Sequence, residues 1–268
     1  MADHRNSYIA ILVLVTALTM LPAAARAGAW TLNEHDGQII SATIISNASK
    51  SFDAQSRPTQ DVSFSKSFAS ADVEYGWKDW LTLVAVPEYA SATSSAPGRA
   101  TEQARDFAFS GGARVRLLDD AGVLSMQAIA RSAGAFELDT SFDQKPGEDF
   151  ELRALYGTHF EAFGRAGCLD VEIAQRWTTG GRPNEIPVDL SLMVDLGWKT
   201  QALLQSFNVV SEGAGRPPFD HYRYHKLALS LVRPVWGANS LQLGGFITPA
   251  GQNALEEEGV FVAVWTKF

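Results

Sequence analysis

The sequence has little of what several classes of protein require. Cys168 is the only cysteine among 268 residues, so the chain forms no internal disulfide. Lys and Arg number 22 against 30 Asp and Glu, and no basic face is found, which argues against a nucleic-acid partner. No glycine pair lies between a strand and a helix with a following Lys and Ser or Thr, so no phosphate-binding loop is indicated. The sequence predicts no cofactor.

Long apolar runs are also scarce, and the longest lies at the N-terminus. Residues 9 to 21, IAILVLVTALTML, are too few to span a bilayer as a helix, which takes about 20 residues. Ala25-Arg26-Ala27 then has small residues where signal peptidase prefers them. The segment therefore predicts an export signal at residues 1 to 27 and a mature chain that starts near Gly28. The alternative is an N-terminal anchor helix.

The exported part of the chain is acidic and has no internal linker. Residues 1 to 27 hold two Arg and one Asp, so 22 basic and 30 acidic residues become 20 and 29, a formal charge of −9. Because no stretch after the signal is apolar for the roughly 18 residues that a spanning helix needs, a membrane-inserted form must cross as strands. We expect one domain, residues 28 to 268.

Apolar residues recur at every second position, which is typical of β-strands. In LDVEIAQRW, residues 169 to 177, Leu169, Val171 and Ile173 fall on one face, whereas Asp170 and Glu172 fall on the other. The same alternation is present in 107 to 117, 151 to 161 and 188 to 198. Alternation alone fits either a soluble β-sandwich or a membrane barrel.

Aromatic residues and connection lengths favour the barrel. Aromatic side chains lie mostly near strand ends, as in an interfacial girdle, at Trp77, Trp80, Tyr89, Trp177, Trp198, Trp236 and Trp265. Short turns at 76 to 80, 118 to 122, 163 to 167, 197 to 200 and 234 to 239 alternate with longer polar stretches near 50 to 60, 91 to 104, 134 to 149, 180 to 187, 212 to 220 and 249 to 258. These connections predict an all-β fold, a transmembrane antiparallel up-and-down β-barrel of about 12 strands with both termini on the short-turn side.

The chain ends in an alternating strand, GVFVAVWTKF. Val260, Val262, Val264 and Thr266 share a face with the terminal Phe268. A terminal Phe on such a strand resembles the C-terminal signal of bacterial outer-membrane barrels, so Val264 and Phe268 are predicted to be recognised by the outer-membrane insertion machinery. The alternative is an ordinary strand that closes the chain.

Several segments together resemble a known barrel family. They are AWTLNEHDGQ, VEYGWKDWLTL, FSGGARVRLLDDAGVLS, HKLALSLV and the stretch from LQLGGFITPAG to the C-terminus. The chain is similar to bacterial outer-membrane barrels labelled transporters of the phenol-degradation meta-pathway type, and distantly to fatty-acid-transporter-like barrels. The resemblance implies an outer-membrane channel or transporter in contact with outer-membrane lipids. The alternating segments begin around Gln38, without the plug domain of fatty-acid transporters, which counts against uptake of hydrophobic ligands.

The polar faces of the strands supply the candidate pore. Side chains that face the lumen set what a pore admits. By parity, the predicted pore-lining residues are Arg114, Arg116, Arg131, Glu151, Arg153, Glu172, Arg176 and Asp195, with Asp170 and Asp189 on the same faces. In a narrow barrel such a mixture of charges either lines a small polar channel or cross-links through ion pairs into a closed interior.

The sequence also bears on functions other than transport. Some outer-membrane barrels hydrolyse lipids with a Ser and a His, but the His-x-Ser pattern does not occur here, so no catalytic residue is predicted. His221 and His225 are four residues apart, yet no further ligand accompanies them, so no metal site is predicted. A purely structural barrel and a lipocalin-like periplasmic binding module remain alternatives.

Overall fold

The alternating segments form antiparallel β-strands, each paired with the next along the chain. The computed structural model describes residues 28–95, 101–132, 148–217 and 219–268, so the predicted export signal lies outside it. No helix in these ranges is long and apolar enough to cross a membrane. The strands are β1 (Gly37–Phe52), β2 (Pro58–Lys78), β3 (Leu81–Ser95), β4 (Glu102–Asp119), β5 (Val123–Arg131), β6 (Asp149–Ala162), β7 (Arg165–Thr178), β8 (Glu185–Gly197), β9 (Thr200–Ser211), β10 (Arg223–Trp236), β11 (Asn239–Gln252), β12 (Ala254–Leu255) and β13 (Glu258–Lys267).

The sheet closes on itself, because β1 pairs with β2 on one side and with β13 on the other. At the closing seam, the N–H of Gly37 donates to the carbonyl of Phe268 at 2.7 Å, and the N–H of Phe268 donates to the carbonyl of Gly37 at 3.0 Å. The two-residue β12 pairs with the end of β1, on the same side of β1 as β13. The predicted barrel of about 12 strands is therefore confirmed, with 12 long strands and one short extension.

Short and long connections alternate as the sequence indicates. The connections at 79 to 80, 120 to 122, 163 to 164, 198 to 199 and 237 to 238 are short and lie at one end of the barrel. Phe163 and Gly164 have φ of 54° and 69°, and Trp198 and Lys199 have φ of 50° and 59°. Two central residues with positive φ are the signature of the type I′ turn, which matches the twist of the strands that it joins. The strand ends at Phe52 and Pro58, and at Thr178 and Glu185, which longer connections join, lie at the opposite end.

The two faces of the wall have opposite polarity. Leu229 and Val260 expose 61% and 63% of their surface on the outside, whereas Arg114 and Asp170 expose 5% and 4% on the inside. A soluble barrel shows the reverse arrangement, with apolar side chains packed in the centre. The outward band of Leu, Val, Ile and aromatic side chains therefore belongs against hydrocarbon, as the strand parity predicts.

Most of the predicted girdle residues lie on the outer surface, but one does not. Trp77, Trp80, Trp177, Trp198 and Trp236 are exposed. Trp265 is only 5% exposed and donates its indole N–H to Oε1 of Gln242 at 2.8 Å inside the barrel. The prediction that Trp265 belongs to the girdle is wrong, because its position in β13 has inward parity.

The first connection at the long-loop end is organised by one carboxylate. Asp53 accepts hydrogen bonds from the backbone N–H groups of Gln55 and Arg57 at 2.8 and 2.9 Å, and from the Arg57 guanidinium and the Thr59 hydroxyl. The backbone N–H of Arg57 is the largest favourable cause that lowers the pKa of Asp53 to about 2, against a smaller opposing effect of burial. The turn between β1 and β2 therefore keeps its carboxylate ionised in acidic surroundings.

The polarity of the outer face is tested by placing a charge on it. Leu229 lies at the middle of β10, a strand of 14 residues, and points outward. We expect Leu229→Arg to lower the free energy of unfolding in phospholipid vesicles by about 2 to 4 kcal/mol, because the guanidinium must enter hydrocarbon. Leu229→Ala is the control for lost apolar contact. Urea titrations followed by gel mobility measure both, and an unchanged midpoint for Leu229→Arg would show that this face meets water.

Candidate functional site

The barrel interior holds a cluster of ion pairs where β6, β7 and β8 lie side by side. Arg153 of β6 donates to Oε1 of Glu151 at 2.8 Å, to Oε2 of Glu172 at 2.5 Å and to Oδ2 of Asp189 at 2.7 Å. All four side chains are largely buried. One guanidinium therefore joins carboxylates from three strands, the geometry that its five N–H groups favour.

Arg176 extends this cluster toward the long-loop end. It donates to Oε2 of Glu151 at 2.9 Å and to Oε2 of Glu185 at 2.6 Å. The strand register explains both contacts, since Glu151 and Glu185 lie directly opposite Arg176 on the two neighbouring strands. We call Glu151, Arg153, Glu172, Arg176, Glu185 and Asp189 the ion-pair network. It brings together four of the predicted pore-lining residues and pairs them with one another.

The other four predicted residues are dispersed. Arg114 is buried and donates to Glu74 at 2.7 Å and to Gln127 at 3.0 Å. Arg131 is paired with Glu88 on β3. Arg116 pairs with Asp119 at 2.7 Å beside a short turn, and Asp195 accepts the N–H of Gly197 at 2.7 Å beside another. Arg116 and Asp195 therefore lie near the short-turn end of the barrel.

Residues 28 to 36, the N-terminal segment, enter the barrel at the short-turn end. The N–H of Ala29 donates to Oδ2 of Asp170 on β7 at 2.7 Å, and the Ser125 hydroxyl of β5 donates to the Ala29 carbonyl at 2.5 Å. Arg114 donates to the carbonyl of Trp30 at 3.1 Å. Ala29 and Trp30 are buried, so the segment occupies part of the lumen.

The other end of the N-terminal segment is bound to the turn between β2 and β3. The Thr31 hydroxyl donates to the Asp79 carbonyl at 2.6 Å, and the Leu32 N–H donates to the Thr82 hydroxyl at 2.9 Å. Lys78 donates to Glu34 at 2.5 Å. The segment thus crosses the lumen from the β2–β3 wall to the β5–β7 wall.

Two glycines in the wall make room for the N-terminal segment. A Cβ atom at position 76 would lie 1.9 Å from the backbone oxygen of Asn33, and one at position 157 would lie 2.6 Å from Cη2 of Trp30. Trp30 also contacts the ring of His159, with 5.0 Å between the ring centroids. The wall is therefore shaped to hold this segment.

Sequence reasoning missed the N-terminal segment. The alternating segments begin around Gln38, so the sequence predicts no plug domain before the first strand. The available signal was the apolar pair Ala29-Trp30 at the start of an otherwise polar stretch, together with Gly76 and Gly157 in strands. A glycine inside a strand often marks the close approach of another backbone or ring.

A cavity of about 620 Å³, the main cavity, lies inside the barrel. Gly28 and Trp30 of the N-terminal segment contribute to its lining, together with residues from all of the long strands. Of the predicted pore-lining residues, Arg131, Arg153 and Glu172 line it directly. Asp170 and Asp189 line it as well. The interior is therefore partly filled by ion pairs and partly open.

A buried carboxylate lies toward the long-loop end of the main cavity. Glu257, in the connection between β12 and β13, is almost fully buried. It accepts from the Ser46 hydroxyl at 2.5 Å, from Nζ of Lys226 at 2.9 Å and from Nζ of Lys66 at 3.0 Å. The two lysines, which line the cavity, therefore share one carboxylate.

The histidines near the start of β10 have separate partners. Nδ1 of His221 lies 2.9 Å from the Ser211 hydroxyl, and Nδ1 of His225 contacts Asn208. Ser211 is buried, donates to the carbonyl of Gly213 and accepts the N–H of Tyr222, so its hydroxyl serves a local turn. Among the described residues, no group of three or more His, Cys, Asp and Glu side chains is arranged to hold a metal ion.

Comparison with known proteins identifies the fold. No protein-family model and no curated protein matches the chain. Among solved structures, the COG4313 outer membrane channel from Pseudomonas putida F1 matches with a TM-score of 0.70 at 11% identity, over 91% of this chain and 100% of that one. The translocator domain of autotransporter NalP from Neisseria meningitidis matches with a TM-score of 0.59 at 12% identity, over 98% of each chain. Identities this low show a shared fold, and that fold is the bacterial outer-membrane β-barrel. This fold and the apolar outer face of the wall together indicate an outer-membrane protein whose outer surface contacts lipid.

The ion-pair network is tested by removing its central cation. Arg153→Met leaves the carboxylates of Glu172 and Asp189 buried without their partner. We expect the free energy of unfolding to fall by about 3 to 5 kcal/mol, measured by urea titration in detergent. Neutralising both carboxylates in the same chain, with Glu172→Gln and Asp189→Asn, should recover much of the loss.

Arg116→Met is the matched control for Arg153→Met. Its partner Asp119 is exposed, so we expect a loss below about 1 kcal/mol. Equal losses for the two Arg→Met variants would show that the interior pairs contribute no more than a surface pair.

Proposed function

We propose that this barrel is an outer-membrane channel or transporter for small solutes, of the phenol-degradation meta-pathway type that its sequence resembles. The main cavity carries this proposal: polar and charged side chains line about 620 Å³ of open space inside a wall whose outer face is apolar. A barrel with only a structural role does not need such a space. The similarity in fold to a solved outer membrane channel supports the same function.

The passage is narrow, since two features reduce the lumen. The ion-pair network occupies the β6–β8 side, and Arg153 and Glu172 of the network present their side chains to the main cavity. The N-terminal segment partly blocks the short-turn end. We infer that solutes pass beside Arg131, Arg153 and Glu172, and that Arg114 acts by holding the N-terminal segment through its bond to the Trp30 carbonyl at 3.1 Å.

The C-terminal strand fits the role of an assembly signal. Phe268 is exposed and its backbone closes the barrel against Gly37, while Val264 lies four residues earlier on the same strand face. We propose that the insertion machinery recognises these side chains before β13 pairs with β1.

We propose no enzymatic role. Ser211 and His221 are the nearest approach to a nucleophile and base, at 2.9 Å. The Ser211 side chain is buried and engaged with backbone groups, so it is not displayed to lipid on the outer rim as a lipid-hydrolysing site requires.

Electrical recording tests the proposed function. We expect the folded protein in planar bilayers to show small, stepwise single-channel currents, because the ion-pair network and the N-terminal segment narrow the proposed passage. Swelling of liposomes in sugars, amino acids and aromatic acids measures which solutes pass. Heat-modifiable gel mobility shows whether the protein is folded. If the folded wild type and the folded Gly157→Val variant both fail to conduct, the proposal is refuted.

The N-terminal segment is tested through Gly157. A valine at this position would overlap the Trp30 ring and displace it, at a cost to stability of about 1 to 3 kcal/mol. We expect Gly157→Val to increase single-channel conductance, because Trp30 then leaves the lumen. Gly111→Val is the control: its Cβ would face outward, 3.3 Å from the Phe109 side chain. Equal conductance in wild type and Gly157→Val would show that the segment does not limit the passage.

A further inference from the structure

One side of the main cavity is a continuous apolar surface that spans several strands. Ile44 of β1 lies opposite Phe68 of β2 and, on its other side, opposite Phe261 of β13. Across the next pairs, Phe68 lies opposite Ala90 of β3, and Ala90 lies opposite Asp106 of β4. All five side chains line the cavity. The row therefore leads from aromatic and aliphatic side chains directly to a carboxylate.

A second row, nearer the short-turn end, has the same arrangement. Asp72 of β2 lies opposite Ile40 of β1, which lies opposite Trp265 of β13. Asp72 is also four residues from Phe68, so both point to the same face of the strand. We call Ile40, Ile44, Phe68, Phe261 and Trp265 the apolar wall. Asp72 and Asp106 lie at its edge.

The basic side chains that face the cavity are already paired with carboxylates. Lys66 and Lys226 contact Glu257, Arg131 contacts Glu88, and Arg153 contacts its three acidic partners in the ion-pair network. Four basic and six acidic residues line the cavity, so negative charge is in excess there.

Asp72 and Asp106 account for that excess at the apolar wall. Within the described ranges, neither has a basic side chain at ion-pair distance. Asp106 accepts only the N–H of the adjacent Phe107, at 2.8 Å. Both side chains are only partly buried, and a cationic ligand would supply the opposite charge that these two carboxylates lack.

We propose that the main cavity recognises an amphipathic monocation, a small molecule with an apolar or aromatic body and one ammonium group. The ammonium group would lie beside Asp106 near the ring of Phe68, since aromatic faces also attract cations. The apolar body would cover Ile44 and Phe261. A cavity of about 620 Å³ is within the usual size range for small-molecule sites. This inference rests on the proposed function, because it takes the main cavity to lie on the path of the solute.

Binding to the folded full chain in detergent tests the inference. The probe is phenethylammonium, compared by isothermal titration calorimetry with 3-phenylpropionate, which has a similar body and the opposite charge, and with ethanolammonium, which lacks the apolar body. We expect phenethylammonium to bind at least about tenfold more tightly than either. Equal affinity for phenethylammonium and 3-phenylpropionate, or no binding of phenethylammonium, would overturn the inference.

Isosteric variants locate the site. Asp72→Asn and Asp106→Asn keep the shape of the side chains. We expect Asp106→Asn to weaken phenethylammonium binding about tenfold. Asp72→Asn, four residues along the strand from Phe68, should weaken it less. Asp120→Asn removes a carboxylate from an exposed short turn and should leave affinity unchanged. Unchanged affinity in both cavity variants would show that the ammonium group does not bind at these carboxylates.

Bilayer recordings with phenethylammonium on one side and potassium on the other separate this inference from the proposed function. Binding with no current in wild type and Gly157→Val would refute the channel and leave the recognition standing. Current carried as readily by 3-phenylpropionate as by phenethylammonium would refute the recognition and leave the channel standing. Current carried selectively by phenethylammonium, and reduced in Asp106→Asn, would support both.

Discussion

The structure depends on burying charged side chains inside a barrel whose outside faces hydrocarbon. A charge taken from water into such a space is costly unless an opposite charge and hydrogen bonds accompany it. Arg153 shows how the chain meets this requirement, because one guanidinium contacts carboxylates on three neighbouring strands. The same contacts tie β6, β7 and β8 together across the lumen side of the sheet. Stability and the narrowness of the passage therefore have the same physical origin.

The paired and unpaired charges divide the interior into two functional parts. The ion-pair network and the Lys66–Glu257–Lys226 cluster are saturated with partners, so they shape the lumen and offer little to a solute. Asp72 and Asp106, beside the apolar wall, keep binding capacity that the described part of the chain does not use. The proposed recognition of a monocation follows from this distinction, because only the unpaired carboxylates are available to a ligand.

The N-terminal segment also reduces the lumen, and fewer hydrogen bonds hold it in place than hold a strand of the wall. It is held by hydrogen bonds to Asp170, Ser125 and Arg114 and by the space that Gly157 leaves for Trp30. Each long strand is paired with a neighbouring strand on both sides, whereas this segment has only a few hydrogen bonds to the wall. Of the elements that reduce the lumen, it is the one that can be displaced without opening the sheet.

The sequence by itself determined the properties that depend on a single strand or turn. Alternation along residues 169 to 177 is enough to send Asp170 inward and Ile173 outward, because successive side chains on a strand point to opposite faces. The lengths of the turns and loops were enough to predict the number of strands. Tertiary structure alone decided which charges meet, because the partner of Arg176 depends on the register between three strands. It also decided that Trp265 faces the cavity and that residues 28 to 36 fill part of the lumen, since such contacts arise only when the closed sheet brings distant parts of the chain together.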